Sequence, residues 1–322
     1  MENTANAVSL LETRHLKKYF KVREGLLHAV DDVNLTIPRM KTLGVVGESG
    51  CGKSTLGRTI LRLLEATEGE VLFKGENILK YNNRKMLEMR KKMQIIFQDP
   101  YSSIDPRMSV AEIIAEYMLV HKTYPSKTAA FQRAAELMDT VGLARRYAGV
   151  YPHELDGGRR QRIGVARALS LNPEFIVCDE PVSALDVSIQ AQILNLLMDI
   201  QEERGLTYMF ITHDLSVVKH ISDDIVVMYL GQVVERAKPE ALFSRPLHPY
   251  TKALLSAIPI PDPDVRQEKV ILKGEISSPV NMGTVCRFVK RCPSCTEACR
   301  TWDYRETEAE PDHFVACRLY GA

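Results

Sequence analysis

What this chain lacks narrows it first. Its 42 Lys and Arg against 41 Asp and Glu leave a formal charge of +1, so no global field draws it toward nucleic acid or an acidic membrane surface. No apolar run reaches the ~18 residues of a membrane-crossing helix. The start, "MENTANAVSLLETR", has neither the basic n-region nor the apolar h-region of a secretory signal. The chain therefore reads as soluble and cytoplasmic. It has no internal repeat and no low-complexity tract. Cysteine is unevenly spread: five of the seven fall between residues 286 and 317, which in a reducing compartment points to a metal rather than to disulfides. A chain of 322 residues buries an ordinary core as one large domain with an appendage, or as two modest domains, without needing to oligomerise.

Residues 9 to 22 and 28 to 37 alternate apolar and polar side chains, which suits an antiparallel sheet. "KTLGVVGESGCGKSTLGRTILRLL" reads as a buried strand, a glycine-rich turn and a helix, and "GEVLFKGENIL" and "MQIIFQDP" return to strand character. From about Val110 to Leu143 the apolar spacing is helical, with Gly142 as a helix stop; a helical subdomain is expected over about 100–165. "EFIVCDEP" and "TYMFITHD" resume the pattern of buried parallel strands, with "QAQILNLLMDIQEERG" as the helix between them. After "DIVVMYLGQVVERA" the composition shifts to the proline-rich, irregular "RPLHPYTKALLSAIPIPDPDV" and then to the cysteine cluster. A boundary near Ala237 divides a nucleotide-binding domain, 1–236, from a C-terminal extension, 237–322.

Gly47-Glu48-Ser49-Gly50-Cys51-Gly52-Lys53-Ser54 fits G-x-x-x-x-G-K-[ST], with a strand before it and a helix after it, the context that makes the motif a phosphate loop. Small residues let backbone N–H groups curl around the β-phosphate of ATP, Lys53 bridges the β- and γ-phosphates, Ser54 ligates Mg²⁺, and the helix N-terminus adds a favourable dipole. Gly47, Gly50, Cys51, Gly52, Lys53, Ser54 and Thr55 are the nucleotide-binding candidates, Cys51 as a small residue at a variable position. "FIVCDE", residues 175 to 180, is a buried strand ending in two acids. Asp179 is expected to hold Mg²⁺ through water and Glu180 to polarise the attacking water.

The phosphate loop, Gln98 in "FQDP", the Gly157-Gly158 loop, "DEPVSALD" and His213 in "ITHD" occur in an order and spacing that resembles the ATPase subunits of ABC transporters, and the resemblance covers essentially the whole chain. It implies an α/β P-loop NTPase fold with an N-terminal antiparallel β subdomain, a helical subdomain and a cysteine-rich C-terminal extension. It also implies that Phe20 in "KKYF" stacks on adenine, with Tyr19 as the competing aromatic. Gln98 senses Mg²⁺ and couples to the membrane subunit, His213 contacts the γ-phosphate, and Ser183 to Asp186 cross a dimer interface.

"RPLHPYTKALLSAIP", "CRFVKRCPSCTEACR" and "HFVAC" resemble the C-terminal region of ATPases that serve oligopeptide, dipeptide and nickel importers. In that subfamily Cys286-x5-Cys292-x6-Cys299-x17-Cys317 is similar to an iron–sulfur site. Four thiolates hold [4Fe–4S] or a tetrahedral Zn²⁺, and spacing alone does not separate them. Cys295 is a fifth cysteine inside the run and competes with Cys292 or Cys299 as ligand.

One element departs from the family. Where the residue before Gly157-Gly158 is usually Ser and the residue after is usually Gln, this chain has Asp156 and Arg159. That loop normally faces the γ-phosphate held by the partner subunit's phosphate loop. Asp keeps the helix N-cap, loses a donor and adds a negative charge. One unit charge at ~4 Å and an effective dielectric of ~20 costs roughly 4 kcal/mol per unit of phosphate charge, which pairing with Arg159 or Arg160 would offset. The resemblance thus implies an asymmetric heterodimer: a hydrolytic site built on this chain's Lys53, Ser54, Asp179, Glu180 and His213, and a weak site on the partner's phosphate loop. The implied partners are a second ATPase subunit, two transmembrane permeases and, indirectly, an extracytoplasmic solute-binding protein, with no nucleic acid; the location is the cytoplasmic face of the membrane. The transported solute is expected to be a dipeptide or oligopeptide, with nickel or a metallophore as the alternative, and a soluble non-transport ABC ATPase as the rival of another class.

Overall fold

The computed structural model describes residues 9–99, 101–258, 270–272, 274 and 278–321; the first eight residues, residue 100 and the "PIPDPDV" stretch lie outside the described residues. In chain order the strands are β1 (Ser9–Val22), β2 (Gly25–Pro38), β3 (Thr42–Val46), β4 (Glu68–Phe73), β5 (Glu76–Asn77), β6 (Met93–Ile96), β7 (Phe175–Asp179), β8 (Thr207–Ile211), β9 (Asp224–Tyr229), β10 (Gln232–Ala237), β11 (Thr307–Glu310) and β12 (His313–Val315). The α-helices are α1 (Lys53–Ile60), α2 (Asn83–Lys92), α3 (Val110–Val120), α4 (Lys127–Thr140), α5 (Gly157–Leu169), α6 (Val187–Arg204), α7 (Leu215–Ile221), α8 (Pro239–Ser244) and α9 (Pro249–Ser256).

The chain forms two units, Met1–Lys80 with Phe210–Ala322, and Tyr81–Met209. In the first unit β1 is the centre of an antiparallel sheet ordered β2-β1-β4-β5, with Phe20 opposite Leu27 and Leu11 opposite Phe73. The antiparallel sheet expected from residues 9 to 22 is present, but burial along β1 does not strictly alternate: Leu10 and Leu11 are both buried, and the register shifts along the strand. A second sheet is mixed: β3 runs parallel to β9, and β10, β12 and β11 add antiparallel strands beyond β9. Every residue of β3 is buried, as a strand covered on both faces requires.

The extension belongs to this first unit. It is anchored on β10, where Glu235 is fully buried. That carboxylate accepts hydrogen bonds from the Leu247 and His248 amides at 2.7 and 2.9 Å and bonds to His313 Nε2 at 2.7 Å. Just ahead of the proline-rich stretch Pro239–Ser244 forms α8, and within the stretch, expected to be irregular, Pro249–Ser256 forms α9 instead. Pro239 and Pro249 stand at helix starts, where a missing N–H costs nothing and a fixed φ favours the turn, and the His248 side chain caps α9 by accepting from the Tyr250 amide at 3.1 Å.

The second unit places β6 parallel to β7, with Ile96 opposite Cys178, and adds α2 through α6. The segment Val110–Val120 expected to be helical is α3, and α4 stops before Gly142, which has a φ of 66°. Among its helices, α5 buries the most, with Gly158, Gln161, Ile163 to Leu169 all shielded.

Candidate functional site

In the first unit, β3 delivers a loop, Gly47–Gly52, directly into α1. The glycines answer to the backbone. Gly52 has a φ of 105°, and a Cβ there would lie 2.0 Å from the Ala29 carbonyl; at Gly47, with a φ of 151°, it would lie 2.2 Å from the Met228 carbonyl. The loop is therefore pressed between β2 and the end of β9, closer than any side chain allows. Lys53 is only 4% exposed, and its ammonium donates to the Gly47 and Glu48 carbonyls at 2.8 and 3.0 Å. Cys51 is buried and its thiol is pushed up by that burial, so it is an inert packing residue. Ser54 and Thr55 are half-buried in the first turn of α1. His213 is exposed just after β8, ahead of Asp214, which caps α7 through the Ser216 amide at 2.8 Å.

Glu48 ties this loop to distant residues. Its amide donates to the Tyr250 hydroxyl at 2.9 Å, and its carboxylate receives both terminal nitrogens of Arg291 at 2.7 and 3.1 Å. The bonded carboxylate holds the Arg291 guanidinium above its ordinary pKa. At β1 the two candidate aromatics have different fates. Tyr19 stacks on His28 with centroids 4.1 Å apart, and its hydroxyl donates a hydrogen bond to Asp31. Phe20 is half-buried with the Lys18 ammonium 4.8 Å from its ring centre. Asp31 also pairs with the buried Arg287. Burial pushes the Asp31 carboxyl up, but the Tyr19 hydrogen bond and the Arg287 charge outweigh it and hold it below the usual value.

In the second unit the parallel register of β6 and β7 aligns Ile96 with Cys178, so two residues further on Gln98 meets Glu180. Gln98 Nε2 donates to Glu180 Oε2 at 2.8 Å. Asp179 is completely buried, whereas Glu180 is half-buried with a φ of 47°, a left-handed conformation that costs a non-glycine residue about 1–2 kcal/mol. Its carbonyl holds the next turn by accepting from the Ser183 amide and hydroxyl at 3.3 and 3.2 Å. Gln190 ties the loop from Ser183 to Asp186 by donating to the Val182 and Leu185 carbonyls at 3.0 and 3.1 Å.

Asp156 is the N-cap of α5, accepting from the Arg159 amide at 2.8 Å, and its second oxygen pairs with the Arg159 guanidinium. Arg160 turns away: its Nε donates to the Pro152 carbonyl at 2.8 Å. The charge that distinguishes this loop is thus countered inside the same helical turn. Gly158 packs so closely on α6 that a Cβ would lie 2.8 Å from Ile189 Cγ2.

Cys286, Cys292, Cys295, Cys299 and Cys317 line one cavity of about 20 Å³ with His248 and Phe288, room for about one water. Burial pushes the Cys286 thiol up to about 11, and those of Cys292 and Cys317 up as well. At Cys299 burial is outweighed by hydrogen bonds from Thr296, which hold its pKa below the ordinary value. The cysteines expected as ligands are brought to one place. However, among the described residues no group of three or more His, Cys, Asp or Glu is placed to hold a metal ion. The donors fit a metal in kind, but their arrangement here does not form a metal-holding group.

Comparison with known proteins settles the family. The family described as "ABC transporter" matches residues 30–183, and the one described as "Oligopeptide/dipeptide transporter, C-terminal region" matches residues 234–299. The chain is 53% identical over 311 residues to the oligopeptide transport ATP-binding protein OppF of Bacillus subtilis, covering 96% of each chain. It is 50% identical over 326 residues to AppF of the same organism, covering 98% of this chain and 99% of that one.

The chain belongs to the ABC transporter ATP-binding proteins.

It is an ATPase of that family, and its extension is of the type found in oligopeptide and dipeptide transporters. The solved dimeric cassette MJ0796 with ADP and phosphate has a TM-score of 0.65 and 30% identity, covering 71% of this chain and 98% of that one. Among the described residues no helix is long and apolar enough to cross a membrane. Glu48, Tyr250 and Arg291 escaped the sequence reading, because Glu48 occupies a variable position of the motif and its partners lie 202 and 243 residues away.

Proposed function

We propose that this chain hydrolyses ATP to drive import of dipeptides or oligopeptides through two membrane permeases, at the cytoplasmic face of the membrane and beside a second ATPase subunit. The observation that carries the reading is the presence, on one chain, of a complete phosphate loop and an extension of the oligopeptide/dipeptide transporter type. Lys53 neutralises the β- and γ-phosphates, Ser54, Gln98 and Asp179 serve Mg²⁺, and Phe20 supports adenine, since Tyr19 is already committed to His28 and Asp31. Glu180 polarises the attacking water, held in place by Gln98, and His213 contacts the γ-phosphate. Asp156, Gly157 and Gly158 face the partner's nucleotide. The Asp156–Arg159 pair at the head of that loop, where the family usually has uncharged residues, supports a heterodimer in which the partner's site is the slower one.

Cys286, Cys292, Cys299 and Cys317, with Cys295 as the alternative donor, are the residues that would hold a [4Fe–4S] cluster or Zn²⁺; either would brace the extension. Iron, sulfide and zinc analysis of anaerobically purified protein distinguishes the two. The transport reading is tested by reconstituting the chain with its permeases, partner ATPase and binding protein in vesicles. ATP-dependent uptake of labelled peptides, lost in Lys53→Ala, is expected; uptake of nickel and not of peptide would overturn it.

A further inference from the structure

Every hydrogen-bonding group of Glu48 is engaged. Its carbonyl accepts from the Lys53 ammonium at 3.0 Å, its amide donates to the Tyr250 hydroxyl at 2.9 Å, and its carboxylate holds Arg291 with two bonds. The groups on the far side come from the extension, and neither is a loose surface contact. Tyr250 is fully buried and the Arg291 side chain is 9% exposed. A two-bonded guanidinium and carboxylate fix orientation as well as distance. Phe288 locks the same segment by packing against Tyr229 and Tyr250, with centroids 5.1 and 5.5 Å away.

A second arm reaches β1, the strand that carries the aromatic proposed to support adenine. Arg287 is buried, pairs with Asp31 and bonds to the Leu230 carbonyl, and Asp31 holds Tyr19 beside Phe20 on β1. Arg287 follows Cys286 and Arg291 precedes Cys292 in sequence, and both cysteines line the sulfur cavity. Two adjacent stretches of the extension therefore carry one cation to the aromatic strand and one to the phosphate loop.

We propose that Arg291 and Tyr250 are positioning residues of the ATP site. They fix Glu48, whose carbonyl fixes the Lys53 ammonium, so the cysteine-bearing extension sets the nucleotide affinity of the phosphate loop. The proposal rests on the reading of Lys53 as a phosphate ligand. Neither residue touches the nucleotide in this scheme; each acts through Glu48. Removing either link leaves Lys53 bonded to a carbonyl that is free to turn, so ammonium and phosphate meet in fewer of the loop's conformations.

The test measures Kd for a fluorescent ATP analogue, together with KM and kcat for phosphate release by the assembled transporter. The variants are Arg291→Met, Glu48→Gln and the two combined. Each single change is expected to raise Kd and KM together by about tenfold, the equivalent of about 1.4 kcal/mol. The double variant is expected to be no worse than either single, because both break the same link. Arg291→Lys should recover part of the loss, since it restores charge without the two-bonded fork. An unchanged Kd alongside a lowered melting temperature would make the pair merely structural, and additive effects in the double variant would make the residues independent; either overturns the proposal. Should Arg291→Met not fold, Tyr250→Phe and Glu48→Gln each delete one link with little change of shape and carry the same expectation. Lys53→Ala in the same titration separates the two readings: full affinity there removes the phosphate role of Lys53, whatever Arg291 does.

Discussion

Gly50 and Gly52 look equivalent in the motif, yet their surroundings differ. A Cβ on Gly50 meets nothing within 4 Å, so Gly50→Ala carries only the strain of a φ of 77°, about 1–2 kcal/mol. A Cβ on Gly52 would sit inside the Ala29 carbonyl at 2.0 Å, so the loop has to move. Gly52→Ala is expected to lower nucleotide affinity markedly, and Gly50→Ala by much less. Equilibrium binding of ATP to the two variants checks this, and equal losses would contradict it. The motif was legible because glycine and lysine at fixed spacing are demanded by backbone approach and by phosphate charge. Glu48 was not, because its meaning depends on Tyr250 and Arg291, and nothing local in the sequence brings them together.

The same contrast holds for secondary structure. Val110–Val120 was readable as a helix from its apolar period, and β3 from the short, largely apolar "TLGVV" that runs into a glycine-rich turn. Helix α9 was not, since proline-rich sequence suggests irregular chain until one sees that Pro249 stands at the first turn and His248 caps it. That cap has a pH signature. Burial outweighs the nearby Glu235 carboxylate and brings the His248 pKa down to about 4. The folded ring stays neutral and keeps accepting from the Tyr250 amide, while in the unfolded chain His takes up a proton near pH 6.5. The depressed value means stability is fully present above pH 6.5 and is lost as pH falls from there toward about 4, by on the order of 3 kcal/mol. Melting temperatures from pH 7 to 4 should show this fall in the native chain. They should show a flatter profile in His248→Asn, which keeps a capping side chain without the titration.

Across the whole molecule, the family and its ATPase chemistry were legible because several short motifs recur in one order along the chain. What the sequence withheld was the allegiance of the extension. Residues 237–322 read as a C-terminal extension, and they share a unit with the phosphate loop, through pairs such as Glu235 with His313 and Arg287 with Asp31 that only folding brings together. At the level of the assembled transporter, the two ATP sites are expected to differ. Glu180→Gln in this chain should cut turnover by ~100-fold or more, the usual worth of a general base, while the equivalent change in the partner ATPase should cut it much less. Phosphate release by both singly substituted complexes is the measurement, and equal losses would remove the asymmetry.

The bond between Asp156 and Arg159 bears on the range of that asymmetry. Opposite charges held within one helical turn present a dipole to anything across an interface, and a dipole's potential falls with the square of distance where a lone charge's falls with distance itself. In the proposed pairing of two ATPase subunits, Asp156 would therefore be felt only at contact, and their approach from a distance would be indifferent to it.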